Sequence, residues 1–304
     1  MMQDETAGDP MSKLKWTPKS RRKIGQALAA HGFAISPPTI SRLLGQADYS
    51  LQANRKRLSG QQYPARDQQF AYIVRWRKAY RQRGWPVIRI DAKKTELIGN
   101  FKNRGQVWRR THRDVNTYDF LSLALGKAIP YGIYDIRRNC GFISVGTSHD
   151  TAEFALAAIR AWWLSVSATI YPQPRHRLIE ADSGGSNGRR RRLWKVCLQE
   201  FATAFGLTIT VTHFPTGASK WNPIEHRMFS LIRANWAGEP LVDYDTLLNF
   251  IRNTTSTTHF FCHAQLDKTS YPTRIKVSDQ QMAQLSCRYH KRLALWNYTI
   301  FPQP

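Results

Sequence analysis

The chain has 304 residues, enough for one or two domains with a substantial core. Its 45 Lys and Arg against 21 Asp and Glu leave a net charge of +24, which points to a polyanionic partner, most simply nucleic acid. No signal peptide, lipidation motif or bilayer-length apolar run is present, which argues against a membrane protein and predicts a cytoplasmic one.

Met1 to Pro10 is polar and reads as disordered; the basic run Lys13 to Lys23 follows. Arg22 to His31 places Ile24, Ala27, Leu28 and His31 at helical spacing, with Gly32 as a stop. Ser36 caps a second helix with Pro37 at its first position, Ile40, Leu43 and Leu44 apolar, and Gly45 at its end. Two short helices in a basic context predict either a helix-turn-helix or an ordinary helical pair. In the first case Thr39, Ser41 and Arg42 face outward toward DNA. Arg55, Lys56 and Arg57 form a phosphate-binding run or a solvated face. Asp67 to Arg83 is an amphipathic helix ended by Gly84 and Pro86, a link to the next domain.

Val87 to Ile90 is a β-prone run leading into Asp91. Lys93 and Lys94 follow, and Glu96 to Trp108 suggests a hairpin turning at Asn103 to Gly105. Lys127 to Tyr134 and Gly141 to Val145 read as strands. Asp150 and Glu153 have capping-box spacing before a helix that buries Phe154, Ile159, Trp162 and Trp163. Arg177 to Ala181 is a strand that ends in Asp182, followed by the turn Ser183 to Gly188 and four arginines, Arg189 to Arg192. Leu193 to Phe205 reads as a helix, Leu207 to Val211 as a strand ending near His213, and Trp221 to Asn235 as a helix carrying Glu225. The order β-β-β-α-β-α-β-α predicts an α/β fold, a ribonuclease H-like mixed sheet flanked by helices and preceded by a small all-α helix-turn-helix region. In that order the first and fourth strands are neighbours, which brings Asp91 beside Asp182, with Glu225 reaching them from the last helix.

Three close carboxylates repel one another and retain protons. Divalent cations remove that cost, and two of them about 3.5–4 Å apart support phosphoryl transfer without a protein nucleophile. Each acid also has a local explanation: Glu225 as a capping-box residue after Asn222 and Pro223, Asp91 and Asp182 as turn formers. Asp114, Asp119, Asp135 and Glu153 are rivals, of which Asp135 fits a hairpin turn and Glu153 a cap. Cations at a helix N-terminus oppose its dipole, so Arg189, Arg190, Arg191 and Arg192 read as a phosphate grip or else a solvated face. Lys220 and Trp221 suit contact with DNA by charge and stacking; core packing is the other reading for Trp221. Cys140, Cys197, Cys262 and Cys287 are widely spaced and read as reduced structural cysteines.

Several stretches resemble the transposases of the ISAzo-thirteen insertion-sequence family. They are DAKKTELIGNFKN from Asp91, GKAIPYGIYD from Gly126, ADSGGSNG from Ala181, LWK from Leu193, HFPTGASKWNPIEHRMFS from His213 and WNYTI from Trp296. The resemblance runs from about Trp16 to Ile300. It implies a DDE transposase in which Asp91, Asp182 and Glu225 hold two Mg²⁺ or Mn²⁺ ions, acting on element ends and target DNA. It also implies a dimer or larger assembly on DNA, in a bacterial cytoplasm near the nucleoid. Ala92, Thr95 and Pro223 depart from the family's usual Thr, Lys and Lys. Relatives begin with a further DNA-binding segment, which keeps open a truncated or silent DNA-binding repressor; a second enzymatic alternative is a nuclease of the same fold that cleaves without joining. The expected divisions are 1–20 flexible, 21–60 helix-turn-helix, 61–85 linker helix, 86–240 catalytic and 241–304 a C-terminal extension. Within the extension, Asp243 to Asn253 and Ser278 to Leu285 read as helices, Phe260 to Leu266 as a strand, and Trp296 to Ile300 as packing on the core.

Overall fold

A computed structural model describes residues 7–8, 15–16, 19–52, 63–171, 175–218 and 221–304. The chain divides into two compact units at residues 58 and 59.

In the first unit, α1 (Arg21–Ala30) starts at Ser20, whose side chain accepts from the Lys23 amide, and stops at Gly32 with φ 87°. The Phe33 amide returns to the Leu28 carbonyl and the Gly32 amide to Ala29, a Schellman ending that needs a left-handed residue. α2 (Pro37–Gln46) is capped by Ser36 as expected. Gly45 does not end it: Asp48 takes the left-handed position at φ 58°, which a short polar side chain tolerates. Ile24 and Ile40 are buried in this pair.

The second unit is built on a mixed sheet of nine strands among the described residues. These are β1 (Val87–Ala92), β2 (Glu96–Ile98), β3 (Gly126–Asp135), β4 (Cys140–Gly146), β5 (His176–Ala181), β6 (Thr208–His213), β7 (Phe261–Asp267), β8 (Cys287–Tyr289) and β9 (Asn297–Ile300). Their order is β8-β9-β6-β5-β1-β3-β4-β7, with β2 on β3. β1 runs antiparallel to β3 and parallel to β5, and β5 parallel to β6. This is the strand order of a ribonuclease H-like sheet, with β1 and β5 side by side.

Alternation along the central strands assigns each residue a face. Ile88 and Ile90 of β1, with Ile179 and Ala181 of β5, join the core under α4 (Ala152–Trp162) and α5 (Arg192–Ala204), which contribute Phe154, Trp162, Trp194 and Leu198. Val87 and Leu178 face the other way, onto Tyr80 of α3 (Arg66–Gln82). That second face also receives Ile224, Met228 and Phe229, the short helix α6 (Ser230–Asn235), and Leu247, Leu248 and Ile251 of α7 (Tyr244–Arg252). Gly132, level with Asp91, permits this close packing: a Cβ there would sit 2.4 Å from Met228 Cε.

Several expectations change. No hairpin forms at Glu96–Trp108: β2 pairs with Gly126–Ala128 instead, and the following stretch offers no apolar alternation, leaving Trp108 fully exposed. The α4 cap is Thr151, whose hydroxyl accepts from the Phe154 amide, in place of Asp150. The helix carrying Glu225 starts at Pro223 and passes at once into a π-helical turn, Glu225–Phe229. Trp296 to Ile300 does more than pack: Asn297–Ile300 is a strand joining β6 to β8. Asp243 caps α7, and Ser278 forms a capping box with Gln281 at the head of α8 (Asp279–Ala283). Cys140, Cys197 and Cys262 are buried and free, as expected for structural thiols.

Candidate functional site

Ile90 of β1 is level with Ala181 of β5, so Asp91 and Asp182, the next residues, stand abreast. Both fall on the parity of Val87 and Leu178, the face on which the Glu225 helix packs. Asp91 Oδ1 accepts from the Ala92 amide and Oδ2 from Asn222 Nδ2, both at 2.9 Å. Asp182 Oδ1 accepts from the Ser183 amide at 2.8 Å. Burial pushes the Asp91 carboxyl up to about 8, assisted by the charges of Asp182 and Glu225. Burial also raises Asp182. Among the described residues, no group of three or more His, Cys, Asp or Glu side chains is gathered tightly enough to hold a metal ion as it stands. The chemistry of the donor set nonetheless fits a hard divalent cation: all three groups are carboxylates, and no lysine or arginine is among the groups that set the Asp91 pKa.

The frame beneath the acids is polar and buried. Two residues back on the same strands, Arg89 is level with Glu180 and donates to it at 2.8 Å, while Arg77 of α3 grips the same carboxylate at 2.6 and 2.9 Å. His213 is buried and burial lowers its pKa to about 4, so the imidazole is neutral. Its Nδ1 lies 2.8 Å from the Asp182 carbonyl, which makes that nitrogen the donor, and Nε2 lies 3.4 Å from the Tyr298 hydroxyl. Ser183 donates its hydroxyl to the Phe214 carbonyl, tying the same loop to the end of β6.

Sequence reasoning missed Asn222, His213 and the Arg77–Glu180–Arg89 group. Asn222 had one visible signal, its helix-capping position; its amide in fact links the Glu225 helix to Asp91, while its Oδ1 accepts from the Ile224 amide. Of the rival acids, Asp135 is held by the Arg137 and Arg138 amides and the Tyr171 hydroxyl, a structural role. Asp119 lines a cleft of about 590 Å³ that reaches Glu225 and is rimmed by Lys93, Lys94, Lys102 and Arg233.

The expected DNA contacts are placed unevenly. Lys93 is ion-paired with Glu96, and its ammonium lies 4.7 Å from the Trp236 ring centroid; Lys94 is exposed. Arg189 is buried, with its carbonyl accepting from Lys195. Arg190, Arg191 and Arg192 are exposed, Arg191 donating to Gly185 and Arg192 pairing with Asp279 at 2.6 Å. Trp221 is 45% exposed and lies under the Arg66 guanidinium, 4.1 Å from the ring centroid. In the first unit Arg42 is exposed, whereas Thr39 and Ser41 are half-buried and bonded to Ser36 and Arg21. Arg55, Lys56, Arg57 and Lys220 lie outside the described residues. No described helix is long and apolar enough to cross a membrane.

Residues 1–302 match a protein family described as Rhodopirellula transposase DDE domain. No curated protein matches the chain. Among solved structures, it is similar to Mos1 transposase in a paired-end complex with its left transposon end, at 11% identity and TM-score 0.45, covering 76% of this chain and 65% of that one. It is also similar to a Mos1 paired-end complex with Mg, at 11% identity and TM-score 0.45, covering 80% and 74%. The HTLV-2 integrase catalytic core in complex with magnesium matches at 12% identity and TM-score 0.30, covering 58% and 91%.

Proposed function

The chain belongs to the DDE transposase family, and from that premise we propose that it cuts DNA at insertion-sequence ends and joins them to target DNA by metal-dependent phosphoryl transfer. The observation that carries the proposal is the level placement of Asp91 and Asp182 on adjacent parallel strands, with the Glu225 helix on the same face. In this scheme Asp91 and Asp182 share the cations and Glu225 holds one of them. Two Mg²⁺ or Mn²⁺ ions, when bound, neutralise the carboxylates, activate the attacking oxygen and stabilise the leaving oxygen.

The chain's own groups hold that arrangement. Asn222 fixes the Asp91 carboxylate, and His213 fixes the peptide of Asp182, as partners of ligand groups commonly do. Lys94, Arg190 and Arg191 supply exposed charge for the phosphate backbone, Arg42 for contacts by the first unit, and Trp221 a ring for stacking. Water attacks phosphorus at the element end; the P–O3′ bond breaks, leaving a 3′-hydroxyl on the element and a 5′-phosphate on the flank. That hydroxyl then attacks a target phosphodiester, forming a new P–O3′ bond and releasing the target's 3′-hydroxyl. One ester replaces another, so joining needs no external energy source. Two ends joined together require a dimer or larger assembly on DNA.

The test is strand cleavage and joining on duplexes bearing the gene's flanks, with Mg²⁺, Mn²⁺ or chelator. Wild type is expected to nick and join only with metal. Asp182→Asn is expected to lose both while retaining DNA binding. Cleavage by Asp182→Asn at the wild-type rate would sink the assignment.

A further inference from the structure

A second concave surface runs along α3, lined by none of the three acids. α3, the first residues of β5 and β6, and the C-terminal strands enclose a cleft of about 630 Å³. Its floor is aromatic. Tyr80 is buried and donates its hydroxyl to Thr210 at 2.9 Å. Trp85 stacks on His176 with ring centroids 4.2 Å apart, and Trp76 on His290 at 5.2 Å. The rim is cationic: Arg75, Arg83, Arg288, Lys291 and Arg292 all line the cleft and all are exposed. Among the described lining residues there is no carboxylate. The local excess also reaches the two imidazoles, whose pKa values are lowered first by burial and then by neighbouring arginines, Arg175 and Arg83 for His176 and Arg288 for His290.

Five like charges gathered without a counter-charge repel one another, and folding alone gives no reason to assemble them. A surface ion pair would have cost little to include. The charges come from three separate parts of the chain, α3, β8 and the loop after it, so one small anion does not match their spread. A phosphate backbone does. The lining includes none of the three acids: His176 at one end lies six residues from Asp182 along the strand, about 20 Å at a rise of ~3.3 Å per residue, while the β8–β9 loop carrying Lys291 and Arg292 lies toward the acid end but is separated from β5 by β6.

We infer that the cleft between α3 and the C-terminal strands is a second DNA-binding surface, whose rim cations hold duplex phosphates outside the carboxylate cluster. The inference rests on the reading of the chain as a DNA-processing enzyme, and it assigns the C-terminal segment a share in holding that DNA. The cations act by charge; Arg83 lies over the Trp85 ring and Arg288 over Phe301, 5.4 and 4.9 Å from the ring centroids.

The test measures binding alone, by fluorescence anisotropy of a labelled flank duplex in chelator, across a salt series. Lys291→Ala/Arg292→Ala is compared with Lys268→Ala/Lys276→Ala, which removes the same charge from exposed positions outside the cleft. The cleft pair is expected to weaken binding roughly tenfold or more and to flatten the slope of log K against log salt by up to about 0.9 for each phosphate no longer neutralised. The control pair is expected to leave both near wild type. Equal effects from the two pairs would overturn the inference. The charge-preserving swap Lys291→Arg/Arg292→Lys is expected to bind like wild type, and loss of binding there would also overturn it. Because no cleavage is read, failure here is separable from failure of the active-site reading, which shows in the Asp182→Asn comparison.

Discussion

Two trios of charged side chains sit on the same face of β1 and β5, two residues apart, and they are handled in opposite ways. At Arg89 and Glu180 the charges are opposite, and Arg77 completes the group with a second guanidinium. Glu180 is fully buried, yet every charge there has a partner within hydrogen-bonding distance. One step toward the strand ends, Asp91 and Asp182 carry like charge, Glu225 adds another, and the hydrogen-bond donors to Asp91 are neutral, the Ala92 amide and the Asn222 side chain. The same strands could have offset those acids with arginine, as they do at Glu180. The contrast supports the proposal that the uncompensated set is the functional one, its missing positive charge to be supplied from outside the chain.

The comparison breaks most sharply at Glu180. Glu180→Gln leaves two guanidiniums, one of them fully buried, without a counter-charge, and is expected to cost about 3–5 kcal/mol in urea unfolding. A loss of only about 1 kcal/mol, the worth of a surface pair, would mean that the lower trio is not the rigid base described. Gly132→Ala tests the packing that delivers Glu225. Its new Cβ would meet Met228 Cε at 2.4 Å and Phe229 at 2.6 Å, an overpacking expected to cost about 1–3 kcal/mol. Cleavage should fall further than DNA binding, because the displaced π-turn carries Glu225. Gly184→Ala, where a Cβ meets nothing within 4 Å, is the matched change, with an expected effect inside about 0.5 kcal/mol.

The site was legible in the sequence where local pattern alone decides geometry. An apolar run entering an acid placed Asp91 and Asp182 at strand ends, and the strand order made those ends neighbours. Asn222 and Pro223 announced the start of the helix that carries Glu225. What stayed hidden depends on partners distant in the chain. Glu180 looks like any acid in a strand until β1 and β5 are aligned and Arg89 falls opposite it. Asn297–Ile300 joins the sheet only because β6 offers an open edge, and β7 only because β4 offers another, neither of which a local pattern records. The π-turn adds a residue to a helix whose apolar spacing looked continuous. Arg189 to Arg192 read as one run, yet the backbone turns it so that the first is buried and the last pairs with Asp279.

The central claim is that Asp91 sits in a charge cluster balanced only by added cations, and the most direct measurement is folding stability against pH, with chelator and with Mg²⁺. A folded-state pKa of about 8 exceeds the unfolded value of ~3.9, so between these values the native state binds the extra proton. In chelator, wild-type stability is therefore expected to decline as pH rises from about 4 to about 8 relative to Asp91→Asn, which lacks that titration. Mg²⁺ should restore wild-type stability at the upper end of the window and leave Asp91→Asn nearly unchanged. Parallel profiles for the two proteins, with no response of wild type to Mg²⁺, would contradict the account.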